Sequence, residues 1–415
     1  VPLALPQTVP SAVTDGARRP RRALLGACLA HVLHDGYTDL LYVLLPVWQA
    51  QFGLSYAGLA LMRCFYYGTM GGLQVPADRL AAGLTNRAAL ALSTLIAAAG
   101  FLIMGLTDSL FGLCAGLVLS GVGSSLQHPR ASLLVSEAYG ADARGPLGIY
   151  NFAGDLGKAV FPVAVALLLG VIAWRPIAGL MALVGLVAAA ALLPIVPRGR
   201  PPRAAAATAG GASRGDRSGF RLLLAIGALD TATRMGYLLF LPFLIHAKGG
   251  AQTAVGVSLA LIFSGGALGK ACCGWLGERF GVVPSVVATE TATALLMVAT
   301  LALPLGPCFL LLPVLGLVLN GTSSVLYGTV PELAPAGGAG RAFALFYTAV
   351  IGSGGLAPIA YGVLGDRLGE NTGVAAAALT ALATVPLVLG LRTRLGEGTV
   401  RHRHRELPVL TDDRG

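Results

Sequence analysis

The chain is poor in charge. Asp, Glu, Lys and Arg make up only 12% of its 415 residues, about half the share of an ordinary soluble domain. With 55% hydrophobic residues and a mean hydropathy of +0.75, most of its surface is suited to lipid rather than water. The six cysteines, Cys28, Cys64, Cys114, Cys272, Cys273 and Cys308, lie mostly in apolar stretches without metal-ligand spacing and read as packing residues. No Gly-x-x-x-x-Gly-Lys-Ser/Thr loop occurs, which argues against ATP hydrolysis. The basic runs lack interleaved aromatics, so no nucleic-acid partner is expected. Short alternating strands of the β-barrel kind are also missing. No cleavable signal is evident, because the apolar run after Arg22 is long and further runs follow it.

What is present is a series of apolar runs of about 20 residues, the length that crosses a bilayer as a helix. They predict an all-α integral membrane protein of about twelve transmembrane helices. The expected spans are 23–48, 56–77, 88–106, 109–136, 146–170 and 174–196, then 220–246, 253–275, 283–304, 308–330, 343–364 and 373–391. Around them lie a leader (1–22), a Pro/Ala/Gly-rich linker (198–219) expected to be flexible, and a tail (392–415). The six-helix bundles are then 23–197 and 220–391. The net charge of +10 sits mostly outside the spans. Arginines stud the leader, linker and tail, and positive flanks stay cytoplasmic. Both termini are therefore expected on the cytoplasmic side of a membrane, with a bacterial inner membrane as the expected location.

The two bundles repeat one another. Gly274–Trp275–Leu276–Gly277–Glu278–Arg279 echoes Pro76–Ala77–Asp78–Arg79. Ser323–Ser324 echoes Ser124–Ser125, and Arg341 to Tyr347 echoes Arg144 to Tyr150, at offsets of roughly 196–200 residues. A chain of two parallel hydrophobic halves suggests a transporter with its binding site where the halves meet.

Loop charges add to the pattern. Asp78 and Arg79 follow span 2, and Glu278 and Arg279 follow span 8. Glu137 and Arg144 lie between spans 4 and 5, Glu332 and Arg341 between spans 10 and 11. Gly365–Asp366–Arg367 stands after span 11. In these loops, and in its duplication, the chain resembles the major facilitator superfamily across residues 23–391. The resemblance implies that Asp78, Arg79, Glu137 and Arg144, opposite Glu278, Arg279, Glu332 and Arg341, form a cytoplasmic gate. Pro76 stands where the family pattern has glycine, and Glu278 where it has aspartate. Within the superfamily, His34–Asp35, His128–Pro129 and Asn151–Phe152–Ala153–Gly154 resemble the fosmidomycin-resistance-like exporters. The glycine–proline antiporter signature of multidrug exporters is missing, with Gly154–Asp155–Leu156–Gly157–Lys158 in its place.

Charged residues inside the spans carry the remaining signal, since each costs about 2.5–3.5 kcal/mol at a helix centre on insertion scales. On span 1, His31, His34, Asp35, Thr38, Asp39 and Tyr42 fall within an arc of about 140°. Span 2 offers Arg63 and Tyr67, span 4 Gln127 and His128, and span 5 Asn151, Asp155 and Lys158. The second half adds Asp230 and Arg234 on span 7, Lys270 on span 8 and Tyr327 on span 10. Asp230–Arg234 and Asp155–Lys158 are also spaced to form plain intrahelical pairs. In the resembled family spans 1, 4, 7 and 10 line a cavity. Glu290, on span 9, is the one central charge outside this set and its flanking helices.

These residues lead to the expectation of a secondary active transporter, not an enzyme, that moves a small polar, anionic solute. Arg63, Tyr67, Gln127, His128, Asn151, Lys158, Arg234, Lys270 and Tyr327 are the candidate solute contacts, guanidinium being suited to carboxylate or phosphonate groups. His34, Asp35, Asp39, Asp155 and Asp230 are the candidate proton-coupling groups. Resemblance favours export by proton antiport; import of an organic anion is the alternative. A transition-metal transporter using His31, His34, Asp35 and Asp39 is a further reading, opposed by the four cavity cations. An intramembrane hydrolase of His and Asp residues would need more ligands on facing helices. The expected partners are the small-molecule substrate, protons and the lipid bilayer, with no cofactor and no resident metal, and the chain is expected to act as a monomer.

Overall fold

The computed structural model describes residues 12–199, 217–334 and 339–395. Among them the regular structure is helical, with thirteen α-helices and one short 3-10 turn. The first half holds α1 (Ala12–Phe52), α2 (Tyr56–Gly72), the short α3 (Gln74–Leu80), α4 (Asn86–Leu106), α5 (Leu110–Tyr139), α6 (Arg144–Leu169) and α7 (Trp174–Ile195). The second holds α8 (Arg217–Ala247), α9 (Gln252–Phe280), α10 (Val282–Ala302), α11 (Leu305–Leu333), α12 (Ala339–Leu368) and α13 (Glu370–Leu391). Ten of these are long and apolar enough to cross a membrane. With the polar α1 and the 17-residue α2 they complete two six-helix bundles. The second expected span breaks at Leu73, where α2 ends and α3 begins. The expected leader is already helical from Ala12, and linker residues 200–216 and tail residues 396–415 lie outside the described part.

Sorting of residues by helix explains the exterior. On α7, α10 and α13, which carry no buried charge other than Glu290, Val187 (61% exposed), Leu295 (65%) and Leu379 (65%) face outward. Lipid rather than water suits these surfaces. Inside, small residues let helices approach closely. A Cβ on Gly269 of α9 would lie 2.0 Å from the Leu317 carbonyl oxygen of α11, so only glycine fits at this crossing. The six cysteines are free.

The halves meet through two long seams, α2 against α12 and α6 against α9. Let the face where α1 and α8 begin be proximal and the other distal. The distal face is closed. There the Asp366 carboxylate, at the end of α12, accepts from the backbone N–H groups of Tyr56 (2.7 Å) and Ala57 (3.1 Å) at the start of α2. The Tyr56 hydroxyl donates to Glu370 Oε2 at 2.6 Å. A carboxylate at a helix N-terminus satisfies orphan donors and complements the helix dipole. Gly362 allows this approach, because a Cβ there would lie 2.6 Å from the Ala57 nitrogen. Gln252 of α9 also donates to the Val43 carbonyl of α1, at 2.6 Å. At the proximal face, by contrast, α5 and α11 do not touch among the described residues. Among the described residues the molecule is thus shut distally and parted proximally.

Removing the distal contact should shift this balance. Asp366→Ala is expected to raise the distal-open population several-fold, since charge–dipole contacts at an exposed helix end are worth about 0.3–1 kcal/mol, and Gly362→Val more strongly through steric conflict. Pulsed electron-spin distances between labels on the two distal rims read this directly; unchanged distributions in both variants would refute the lock.

Candidate functional site

Most of the buried charge near the centre converges on α1. Asp35 is the hub, 7% exposed, with His31 Nε2 at 3.2 Å, Lys158 Nζ at 3.3 Å and His128 Nε2 at 3.7 Å. The spacing of these residues on three helices makes the cluster: His31 precedes Asp35 by one turn, while α5 and α6 pack on α1 and bring in His128 and Lys158. His31 is held in place by Tyr150, whose carbonyl meets its Nδ1 at 2.8 Å and whose ring stacks on it at 4.0 Å.

One turn further distal, Asp39 meets the Arg63 guanidinium of α2 at 3.9 Å. Arg63 also donates to the Thr38 carbonyl and lies 4.0 Å over the Tyr42 ring, a cation–π contact. A small void beside it is bounded by Tyr42, Arg63 and Tyr67 from one half and by Met235, Leu239 and Pro358 from the other. The Tyr42 hydroxyl donates to the Met235 sulfur across the divide at 3.3 Å.

Neither of the two intrahelical pairs allowed by spacing is formed as an ion pair. Lys158 reaches back to Asp35 of α1, and Asp155 instead accepts from Lys270 of α9 at 2.5 Å, joining the two halves. Arg234 makes no ion pair with Asp230 among the described residues; it donates to Thr231 Oγ1 at 3.4 Å. Lys158 and Lys270 have side chains 28% and 37% exposed, whereas their carboxylate partners, Asp35 and Asp155, are 10% and 8% exposed. Arg63 and Asp39 lie behind them at 7% and 8%. Solvent therefore reaches the ammonium groups first.

Several candidates lie elsewhere. His34 sits at the other edge of the α1 arc and turns into its own bundle, meeting Ser124 Oγ (2.8 Å) and Thr94 Oγ1 (3.2 Å). Gln127 is fully buried and donates to the Tyr150 hydroxyl at 3.5 Å. Asn151 is exposed near the proximal start of α6. Tyr327 packs on the rings of Phe346 and Tyr347, both at 5.1 Å. Asp230 is buried with Glu290, away from Asp35. The metal-ligand set expected from α1 alone is not assembled, because His34 points away. Instead His31, Asp35 and His128 present three ligand atoms within 4.8 Å of one another. Lys158 lies against the same carboxylate, and its charge opposes a divalent ion there.

The proximal charges also have specific neighbours. Asp78 pairs with Arg130 at 2.6 Å, and Arg130 donates to the backbone carbonyls of Asp78 and Leu84. Glu137 accepts from Asn86 at 2.9 Å. Arg79, Arg144, Glu278, Arg279 and Glu332 are exposed, Arg279 lying near the rings of Trp275 and Phe280. The side chain of Arg341 lies outside the described part. A separate depression of about 760 Å³ on the proximal surface is lined by Arg18, Arg19, Arg22, Arg87 and Arg198; it borders α1, α4 and α7 and lies apart from the central charges.

Sequence reasoning missed Arg130 as the partner of Asp78, the Asp366–Tyr56 contact and the partner of Glu290. All three depend on pairings between helices distant in sequence. Only the second carried a local signal, the Gly365–Asp366–Arg367 run.

A sequence model of the Major Facilitator Superfamily matches residues 27–226. The Fosmidomycin resistance protein of Escherichia coli (strain K12) is 24% identical over 186 residues, 43% of this chain and 46% of that protein. The aligned stretch thus spans less than half of the relative. A bacterial homologue of the human lysosomal transporter Spinster, solved in an inward-facing and unoccupied conformation, superposes with a TM-score of 0.66 at 18% identity, covering 91% of this chain and 96% of that one. Its inward-facing, occupied form gives 0.65 at 16% identity. These two show the fold. Fold and sequence together make this multi-pass, helical chain similar to transporters of the Major Facilitator Superfamily, and weakly similar to the Fosmidomycin resistance protein.

Proposed function

We propose that the chain moves a small polar, anionic solute out of the cell by alternating access, in exchange for protons. The observation that carries the anionic reading is the graded exposure of the central ion pairs. A solute entering from the proximal side meets Lys158 and Lys270 before the carboxylates behind them. Arg63 and Arg234 lie deeper, and Tyr67, Gln127, His128, Asn151 and Tyr327 complete the proposed contact set. Export is favoured because the relative is a resistance protein, a role that removal of a solute from the cell would serve, and because the open proximal face is cytoplasmic under the positive-inside rule. The same orientation puts both termini in the cytoplasm; the proposed location is a bacterial inner membrane and the proposed functional unit a monomer.

Coupling follows from the ion pairs. A proton that neutralises Asp35 or Asp39 weakens its hold on Lys158 or Arg63. The freed cation no longer ties its helix to α1, so the balance between the two facing states moves. Among the described residues Asp39 has a single ion-pair partner, at 3.9 Å, so its neutralisation disturbs the fewest contacts. His34, Asp155 and Asp230 are secondary candidates for the proton path. At the proximal rim, Asp78, Arg79, Glu137 and Arg144 would close against Glu278, Arg279, Glu332 and Arg341 when the molecule opens distally.

Proteoliposome uptake under an imposed pH gradient, comparing small carboxylates, phosphonates, sugars and divalent metals, tests the assignment. Accumulation of carboxylates or phosphonates is expected; metal uptake alone would overturn it in favour of the His31–Asp35–His128 set. Lys158→Met and Lys270→Met should each weaken binding of the transported anion roughly tenfold, the scale of a lost charge-assisted contact. Unchanged affinity in the double variant would remove these lysines from the solute site.

Asp35→Asn or Asp39→Asn should lower gradient-driven flux roughly tenfold or more while counterflow persists, as expected for a lost coupling free energy of about 1–3 kcal/mol. Full pH-driven accumulation in both single variants and in the double variant would move coupling elsewhere. Asp78→Asn, at the rim, should leave solute affinity within a few-fold and shift the facing distribution; lost binding with an unshifted distribution contradicts a latch role.

A further inference from the structure

The ion pairs around α1 leave two buried acids unused. Asp230 of α8 is 3% exposed and Glu290 of α10 is 2% exposed. Their side chains are in hydrogen-bond contact with each other, and Glu290 also contacts Thr322 of α11. Thr322 in turn donates to Thr289, the residue before Glu290, at 2.8 Å. Among the described residues no donor reaches Glu290 Oε2, and the Thr293 hydroxyl one turn along α10 is also unpartnered.

Three physical constraints then apply. Two carboxylates in contact repel strongly where water is excluded. A buried carboxylate oxygen with no donor is costly. The charges also do not balance. Arg234 is the cation that acts electrostatically on both acids. Two carboxylates against one guanidinium leave one negative charge uncompensated. Elsewhere each central cation already has its own acid: Lys158 with Asp35, Arg63 with Asp39 and Lys270 with Asp155.

We propose that Asp230 and Glu290 form a proton-binding site in the second half, with one proton carried on Glu290 and shared with Asp230 in the facing state seen here. The proton supplies the donor that two touching carboxylates lack, removes the repulsion, lowers the cost of burying Glu290 Oε2 by neutralising its carboxyl group, and brings the count with Arg234 to neutrality. Occupancy of the site stands on this geometry and charge balance alone. A role for the proton in transport rests on the proton-coupled reading above, and Arg234 would provide it: the guanidinium lies one turn from Asp230 on α8, and movement onto Asp230 would favour release.

Infrared spectroscopy of the full chain in lipid at neutral pH tests the site without any substrate. The wild-type protein should show a protonated-carboxyl band that shifts in D₂O and shifts again when glutamate carboxyl carbons are labelled with ¹³C. All seven glutamates take the label, with Glu137, Glu278, Glu332 and Glu370 at or near helix ends, so the label assigns the band to glutamate and substitution assigns it to Glu290. Glu290→Gln should abolish the band. No such band in wild type, a band insensitive to glutamate labelling, or a band that persists in Glu290→Gln would each overturn the proposal. So would a band lost on adding sodium and restored in choline, which would make sodium the occupant. If the band is lost in Glu290→Gln but pH-driven flux is intact, the coupling role is refuted. If flux shows no pH dependence even in wild type while the band is present, it is the proton-coupled reading that fails.

Discussion

Charge buried in a medium without water must find its counter-charge inside the protein, and this requirement organises the molecule. Each central acid or base costs several kcal/mol unless paired, and here the pairing crosses helices: Asp35 of α1 with Lys158 of α6, Asp39 of α1 with Arg63 of α2, Asp155 of α6 with Lys270 of α9. The first two tie α1 to its own bundle. The third ties the bundles to each other. The electrostatic network therefore lies on the same helices that must shift if the two halves are to rock about a central site.

Packing sets which face of that site is open. Close approaches along α2–α12 and α6–α9 are permitted by glycines, and the distal end is sealed by a carboxylate set on a helix N-terminus. Nothing equivalent joins α5 to α11 at the proximal end among the described residues. Exposure falls with depth from Lys270 and Lys158 to Asp39 and Arg63, which gives the site a direction of access. Two-state elements of this kind are how a small change in charge at the centre is converted into movement of whole bundles.

Much of the fold was legible in the sequence because lipid imposes a length and a composition on every crossing helix, and because the two halves repeat. The break at Leu73 was not, since Val75 and Ala77 carry the apolar run of α2 a few residues past it. Membership of the α1 stripe was legible, but its orientation was not. An arc of about 140° is wide enough for His34 to face Ser124 and Thr94 while Asp35 faces Lys158. Spacing along a helix also suggested Asp155–Lys158 and Asp230–Arg234, and both gave way to other partners. For Asp155 and Lys158, packing brought opposite charges of other helices closer than one helical turn could. Glu290 could be seen as anomalous in the sequence, yet its partner lies on α8, and no local pattern connects the two.

The central claim is that solute and proton share one electrostatic network. Proton movement recorded inside proteoliposomes, with a pH-reporting dye and no imposed gradient, measures it most directly. The protein is reconstituted with a transported anion loaded inside, and the external solution is then diluted. Anion leaving the vesicles should draw protons inward and acidify the lumen, with the signal abolished by a protonophore. Anion efflux at an unchanged internal pH would contradict the account.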